Sequence, residues 1–240
     1  MPALISNSRP AAILFDVDGT LLDDDYAVAA ALKFLHARYG EKLGLSPLDL
    51  CTRWRELLNL HFPRYLAGEV SMREQRRARV VDLFQSSRLN LTPEDADAVF
   101  AVYLQHYQDS WTAFPDTMPA LSALSEFELA VLTNGDLEQQ TQKLQATGLA
   151  SRFRNIFASS EIGSAKPHPD AFLTSCRLLR LDPKRCVYVG DSLDIDVRGS
   201  SSAGLISIWL NRDRSVSGVD VDSPLIHSLD ELPALMGEAT

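Results

Sequence analysis

The chain has 240 residues, 45% of them hydrophobic, and a formal net charge of −9. That is enough apolar material for a core plus an insertion, and the acidic balance excludes a general nucleic-acid surface. No apolar run reaches the roughly 18 residues of a membrane span, Met1 to Pro10 carries no basic stretch followed by an apolar one, and Cys51, Cys176 and Cys186 lack short paired spacing. The expectation is a cytoplasmic protein whose cysteines are core filler.

The first predicted strand, residues 13–15, runs into Asp16-Val17-Asp18-Gly19-Thr20. Side chains at i and i+2 of a strand share a face, so Asp16 and Asp18 leave the strand end side by side. Gly19 permits a sharp turn and Thr20 adds a hydroxyl. Adjacent carboxylates repel unless a cation or a proton sits between them, so the pattern implies either a metal site or a nucleophile beside a separate acid/base.

From about residue 24 to 111 helical spacing replaces strand patterns, at residues 27–39, 49–61, 72–84 and 93–107; Leu32, Leu35 and Tyr39, for example, fall at i, i+3 and i+7. Asp23, Asp24 and Asp25 read as a polar hinge and helix start. Arg73, Arg76, Arg77 and Arg79 read as a solvated helix face, with a substrate-anion contact as the alternative. Trp54 either packs within the insertion or stacks on a base.

After Pro115 strand and helix alternate, the mark of βαβ units and a parallel sheet. Residues 129–132 end in Thr133-Asn134-Gly135. Asp136 with Gln139 resembles a capping box, and Gly148 suits the helix end. Lys166-Pro167 precedes a helix with Pro169 at its first position and Phe172, Cys176 and Leu179 on its buried face. Residues 186–189 end in Gly190-Asp191-Ser192 and lead to Asp194, Asp196 and a helix from near Leu193 to Gly204, and residues 216–223 read as a loop. His36, His61, His106, His168 and His227 show no metal-ligand spacing.

Four segments in order, DVDGT from Asp16, Thr133, Lys166 and GDSLDID from Gly190 to Asp196, resemble the motifs of the haloacid dehalogenase superfamily of phosphohydrolases over roughly residues 10 to 212. TNGDLEQQ, LQATGL and AKPHPDAF are similar to the branch with a helical cap that includes phosphoglycolate phosphatases and the nucleotide and sialic acid phosphate phosphatases. The resemblance implies a doubly wound, mainly parallel α/β sheet of Rossmann-like form, with core at 1–23 and 112–240 and an all-helical cap at 24–111. Ligands of such sheets bind beyond the carboxyl ends of the strands, where the four segments fall.

A phosphate monoester brings about two negative charges to a carboxylate-rich site, so a divalent cation is needed; oxygen donors point to Mg²⁺. The resemblance assigns as its ligands the Asp16 side chain, the Asp18 backbone carbonyl and Asp191. Asp196 orients Lys166 or metal-bound water, with direct ligation as the alternative. Asp16 is the implied nucleophile and Asp18 the acid/base; Thr133 and the Asn134 backbone N–H hold phosphoryl oxygens, and Lys166 offsets charge. A dehalogenase would lack the second aspartate, a non-catalytic binding module would have lost Asp16, Asp18 or Lys166, and a phosphomutase would need cationic groups for a second phosphate. The resemblance implies a small phosphorylated metabolite as partner, with no nucleic acid or membrane, for a monomer or homodimer. Trp54, Phe62, Arg64, Tyr65 and Arg73 supply rings and cations that can stack on a ring or pair with an anionic or hydroxyl-rich group. The resemblance of the segment from His61 through Glu69 to Phe84, with TNGDLEQQ, to the nucleotidase and sialic acid phosphatase branch implies nucleoside monophosphates, especially pyrimidine ones, first, sugar phosphates second and phosphoglycolate third.

Overall fold

A computed structural model describes residues 9–85, 87, 89–214 and 222–237; residues 216–221 of the expected loop lie outside them. Two compact units are present, one of Asp24–Thr112 and one of Met1–Asp23 with Ala113–Thr240.

The first is all-helical: α1 (Asp24–Leu43), α2 (Pro47–Leu66), α3 (Met72–Phe84) and α4 (Pro93–Asp109). Local chemistry sets the ends. Ser46 accepts from the Asp49 N–H ahead of Pro47, and Ser71 with Glu74 and Thr92 with Asp95 close reciprocal capping boxes, each contributing about 1 kcal/mol. Leu32, Leu35, Leu50, Leu57, Leu83 and Phe100 build the core. Within it Trp54 is buried, with the Arg79 guanidinium 4.3 Å above its ring. Arg79 therefore departs from the expected solvated face: it occupies the buried side of α3 with Gln75, Val80 and Leu83, and its long stem and planar head pack on Trp54 instead of reaching water. Arg73 and Arg77, by contrast, converge on Asp97, and Arg64 pairs with Glu69.

The second unit holds strands β1 (Ala12–Phe15), β2 (Glu128–Thr133), β3 (Asn155–Ala158), β4 (Cys186–Gly190), β5 (Ile206–Leu210) and β6 (Leu225–Ile226) in one sheet of order β3-β2-β1-β4-β5-β6. Every pairing is parallel. The helices are α5 (Thr117–Ala123), α6 (Leu137–Ala146), α7 (Ser159–Ile162), α8 (Pro169–Leu179), α9 (Gly199–Ser202) and α10 (Leu232–Leu235). A π-helical turn, Leu193–Arg198, leads into α9. The single helix expected from Leu193 thus begins with a wider turn, a feature that often accompanies functional sites.

Strand alternation distributes the core. Ile13, Phe15, Leu129, Val131, Val187 and Val189 pack on one face, and Ala12, Leu14, Ala130, Leu132, Cys186 and Tyr188 on the other. Burial on both faces explains why β1 reads as a continuous apolar run. Asp136 caps α6 through the Gln139 N–H, and Gly148 follows that helix at φ 74°. Asp116 accepts from both terminal nitrogens of Arg212, from the Ser228 hydroxyl and from the Leu229 N–H, tying the carboxyl-terminal segment to α5. All three cysteines are free, and among the described residues no helix is long and apolar enough to cross a membrane.

Candidate active site

The strand order reverses direction at β1, which has β2 on one side and β4 on the other. Ligand sites of open α/β sheets sit at such a switch point, beyond the carboxyl ends. Asp16 extends β1, its N–H donating to the Val189 carbonyl at 2.9 Å. The chain then turns tightly, with the Leu21 and Leu22 N–H groups both donating to the Val17 carbonyl. Two glycines make this crowding feasible. Gly19 has φ 81°, and a Cβ there would lie 2.5 Å from Asp191 Oδ2; a Cβ on Gly190 would lie 2.4 Å from Asp196 Cγ.

Lys166 is the hub. Its ammonium donates to Asp16 Oδ1 at 2.6 Å, Asp196 Oδ1 at 2.7 Å and Tyr188 Oη at 2.8 Å, so all three protons have an acceptor. The Asn134 side chain fixes its backbone: Nδ2 donates to the Lys166 carbonyl and Oδ1 accepts from the Lys166 N–H, both at 2.8 Å. Tyr188 in turn donates to the Leu132 carbonyl at 2.8 Å. Asp196 accepts from the Ser192 N–H through its second oxygen, and Trp209 Nε1 donates to the Asp191 carbonyl.

Asp16, Asp191 and Asp196 each bring a carboxylate oxygen within 4.8 Å of the others. Burial raises the Asp16 carboxyl well above its ordinary value; Lys166 pulls it back and Asp196 pushes it up again. Asp191 is the exposed member of the three, and partial loss of hydration together with the neighbouring Asp196 pushes it up to about 7. For Lys166, burial works against the ammonium, yet Asp16 and Asp196 outweigh it and hold the group above an ordinary lysine. One ammonium thus pairs with two of three crowded carboxylates. Hard oxygen donors in that number and spacing suit a divalent cation that relieves the remaining repulsion, so the residues present fit a metal ion.

Asp16, Lys166, Asp191 and Asp196 are therefore brought together. Thr133 ends β2 and is buried, with Asn134 next in sequence. The Thr20 hydroxyl reaches toward Asp191 Oδ1 at 3.4 Å. The Asp18 carboxyl is met from α6, where Lys143 Nζ lies 2.6 Å from Oδ1 and Gln140 Nε2 lies 3.2 Å from Oδ2. Lys143, Gln140 and Tyr188 escaped the sequence reading. The one available signal was Gln140, a polar residue on the helix stripe of Leu137 and Leu144 at i+3 and i+7.

The haloacid dehalogenase-like hydrolase family matches residues 10–204. The chain is 30% identical to the N-acylneuraminate-9-phosphatase of Homo sapiens, covering 95% of this chain and 94% of that protein. It is 32% identical to the glyceraldehyde 3-phosphate phosphatase of Methanopyrus kandleri, covering 85% and 84%. Among solved structures, the magnesium-bound HAD-hydrolase YfnB of Bacillus subtilis superposes with a TM-score of 0.79 at 25% identity, covering 96% of this chain and all of that one. A family match over most of the chain, with relatives at 30% identity or more over most of their length, shows that the chain belongs to the haloacid dehalogenase-like hydrolases.

Proposed function

We propose that this protein hydrolyses a small phosphate monoester in two steps through an aspartyl-phosphate on Asp16. The observation that carries this reading is the Lys166 ammonium shared between Asp16 and Asp196, with Asp191 alongside. In the first step an Asp16 carboxylate oxygen attacks phosphorus, the bond to the leaving oxygen breaks, and Asp18 gives that oxygen a proton. In the second, water attacks phosphorus, Asp18 takes its proton, and the bond to Asp16 breaks. Thr133 and the Asn134 N–H hold phosphoryl oxygens, while Lys166 offsets the charge gathered on Asp16 and the phosphoryl group. Asp16, Asp191 and the Asp18 carbonyl would hold Mg²⁺, and the ion would supply positive charge that offsets carboxylate and phosphate repulsion as the nucleophile approaches. Both oxygens of Asp196 are engaged, by Lys166 and by the Ser192 N–H, which supports a role in fixing Lys166 rather than in ligation.

The human and Methanopyrus relatives are both named for phosphate esters of small carbohydrates, and that favours a sugar or sugar-acid phosphate ahead of a nucleoside monophosphate. The buried position of Trp54 in the helical unit removes one ring from the base-stacking argument. The test is phosphate release from sugar phosphates, nucleoside monophosphates and phosphoglycolate with Mg²⁺, ranked by kcat/KM. Chelation abolishes turnover, Mg²⁺ restores it, and Asp191→Ala raises the Mg²⁺ concentration needed for half-maximal rate at least about tenfold, as expected for a lost ligand. Full activity in excess chelator would sink the metal assignment, and a preference of more than about tenfold, some 1.4 kcal/mol of discrimination, for a nucleotide would reverse the substrate order.

A further inference from the structure

Lys143 and Gln140 have no part in the four motifs, yet both project from α6 toward Asp18. They sit at i and i+3, on one helix face together with Leu144, and all three are buried. The Lys143 side chain is only 1% exposed, whereas that of Asp18 is 32% exposed. A cation this deep is costly unless paired, and a buried ion pair is seldom more stabilising than apolar residues of the same volume. Packing alone therefore gives no reason for a lysine here.

The geometry supplies one. Lys143 meets Asp18 Oδ1 and Gln140 meets Oδ2, so both oxygens of one carboxyl are gripped from a single rigid element. Gly135 makes room for this grip, since a Cβ there would lie 3.2 Å from Gln140 Nε2. Lys143 itself is too enclosed to touch a substrate; any influence it has on the reaction passes through Asp18.

We infer that Lys143 and Gln140 form a two-point clamp that fixes the plane and direction of the Asp18 carboxyl, making them positioning residues for proton transfer to the leaving group. This rests on the phosphatase reading above. A general acid contributes only when it is held within hydrogen-bond reach of the departing oxygen, and a loss of aim is costly in proportion to how much the leaving group needs a proton.

The test compares Lys143→Met, Lys143→Arg and Gln140→Leu with wild type in Mg²⁺, on the best alkyl phosphate of the substrate screen and on p-nitrophenyl phosphate. Lys143→Met lowers kcat on the alkyl ester roughly 10- to 100-fold with KM within about threefold, but kcat on the aryl ester less than about threefold. Lys143→Arg restores part of the alkyl rate. In an Asp18→Asn background Lys143→Met adds no further loss on the alkyl ester, because the group it positions is gone. Equal losses on the two esters, or a full additional loss in the Asp18→Asn background, would overturn the clamp. Should Lys143→Met fail to fold, Gln140→Leu carries the same alkyl-against-aryl contrast. Absence of phosphate release by wild type would defeat the phosphatase reading, whereas robust wild-type turnover with an unaffected Lys143→Met would defeat the clamp alone.

Discussion

Asp16→Asn is expected to lower turnover by on the order of 10⁵-fold or more, while Asp18→Asn costs on the order of 10²- to 10⁴-fold. The difference follows from what each carboxyl does. Without the Asp16 carboxylate nothing forms the bond to phosphorus, and leaving-group chemistry cannot compensate. Without Asp18 the leaving oxygen departs as an alkoxide, which an activated aryl ester tolerates and an alkyl ester does not. Steady-state rates of the two variants on both ester types check the claim: Asp16→Asn is inactive on each, and Asp18→Asn recovers toward wild type on the aryl ester. Wild-type-like rates in Asp16→Asn would remove the covalent route. Retention of the Lys166 contact keeps the comparison fair, because the amide oxygen that Asp16→Asn introduces still offers an acceptor where Asp16 Oδ1 now lies 2.6 Å from Lys166 Nζ.

Lys166→Met is expected to have the second largest effect, and on two properties at once. It removes the ammonium from a buried site and leaves Asp16 and Asp196, both nearly inaccessible to solvent, without a counter-charge. Breaking a buried pair from one side costs about 3–5 kcal/mol. The same loss takes away charge compensation during phosphoryl transfer, so kcat falls by on the order of 10³-fold. The pH dependence has a definite sign. Burial already holds the Asp16 carboxyl above its ordinary value, with Lys166 opposing the rise; without Lys166 the carboxyl rises further. A carboxyl whose folded pKa lies above its unfolded one stabilises the fold at low pH and loses that contribution as pH rises through the unfolded value and on to the folded one. The destabilisation of Lys166→Met relative to wild type is therefore larger near about pH 8 than near about pH 5. Thermal or denaturant unfolding at both pH values measures it, and Mg²⁺ restores part of the loss at the higher pH. Wild-type stability at both would show that the three carboxylates are not held against one another as the distances indicate.

Much of this arrangement was readable in the chain because strands carry their chemistry locally. Asp16, Thr133 and Asp191 sit at or just past the ends of apolar strands, and Gly19 after Asp18 marks a sharp turn. Parallel order followed from the alternation of strand and helix after Pro115. What stayed hidden depends on contacts between distant segments. Tyr188 reads as one more buried residue of β4, and only the fold shows its hydroxyl between the Lys166 ammonium and the Leu132 carbonyl. Lys143 lies 125 positions from Asp18, on a helix whose charged residues resemble an ordinary solvated face. Arg79 was misread for the same reason: four arginines close together suggest a surface, and nothing local marks the one that covers Trp54. The π-helical turn holding Asp196 was equally silent, since a wide turn has no residue signature of its own.

The central claim is that phosphoryl transfer passes through Asp16, and the most direct measurement is the stereochemical course at phosphorus with a chirally isotope-labelled phosphate monoester and Mg²⁺. Two successive in-line displacements, first by Asp16 and then by water, predict net retention of configuration. Net inversion, the signature of a single attack by water, would contradict the account.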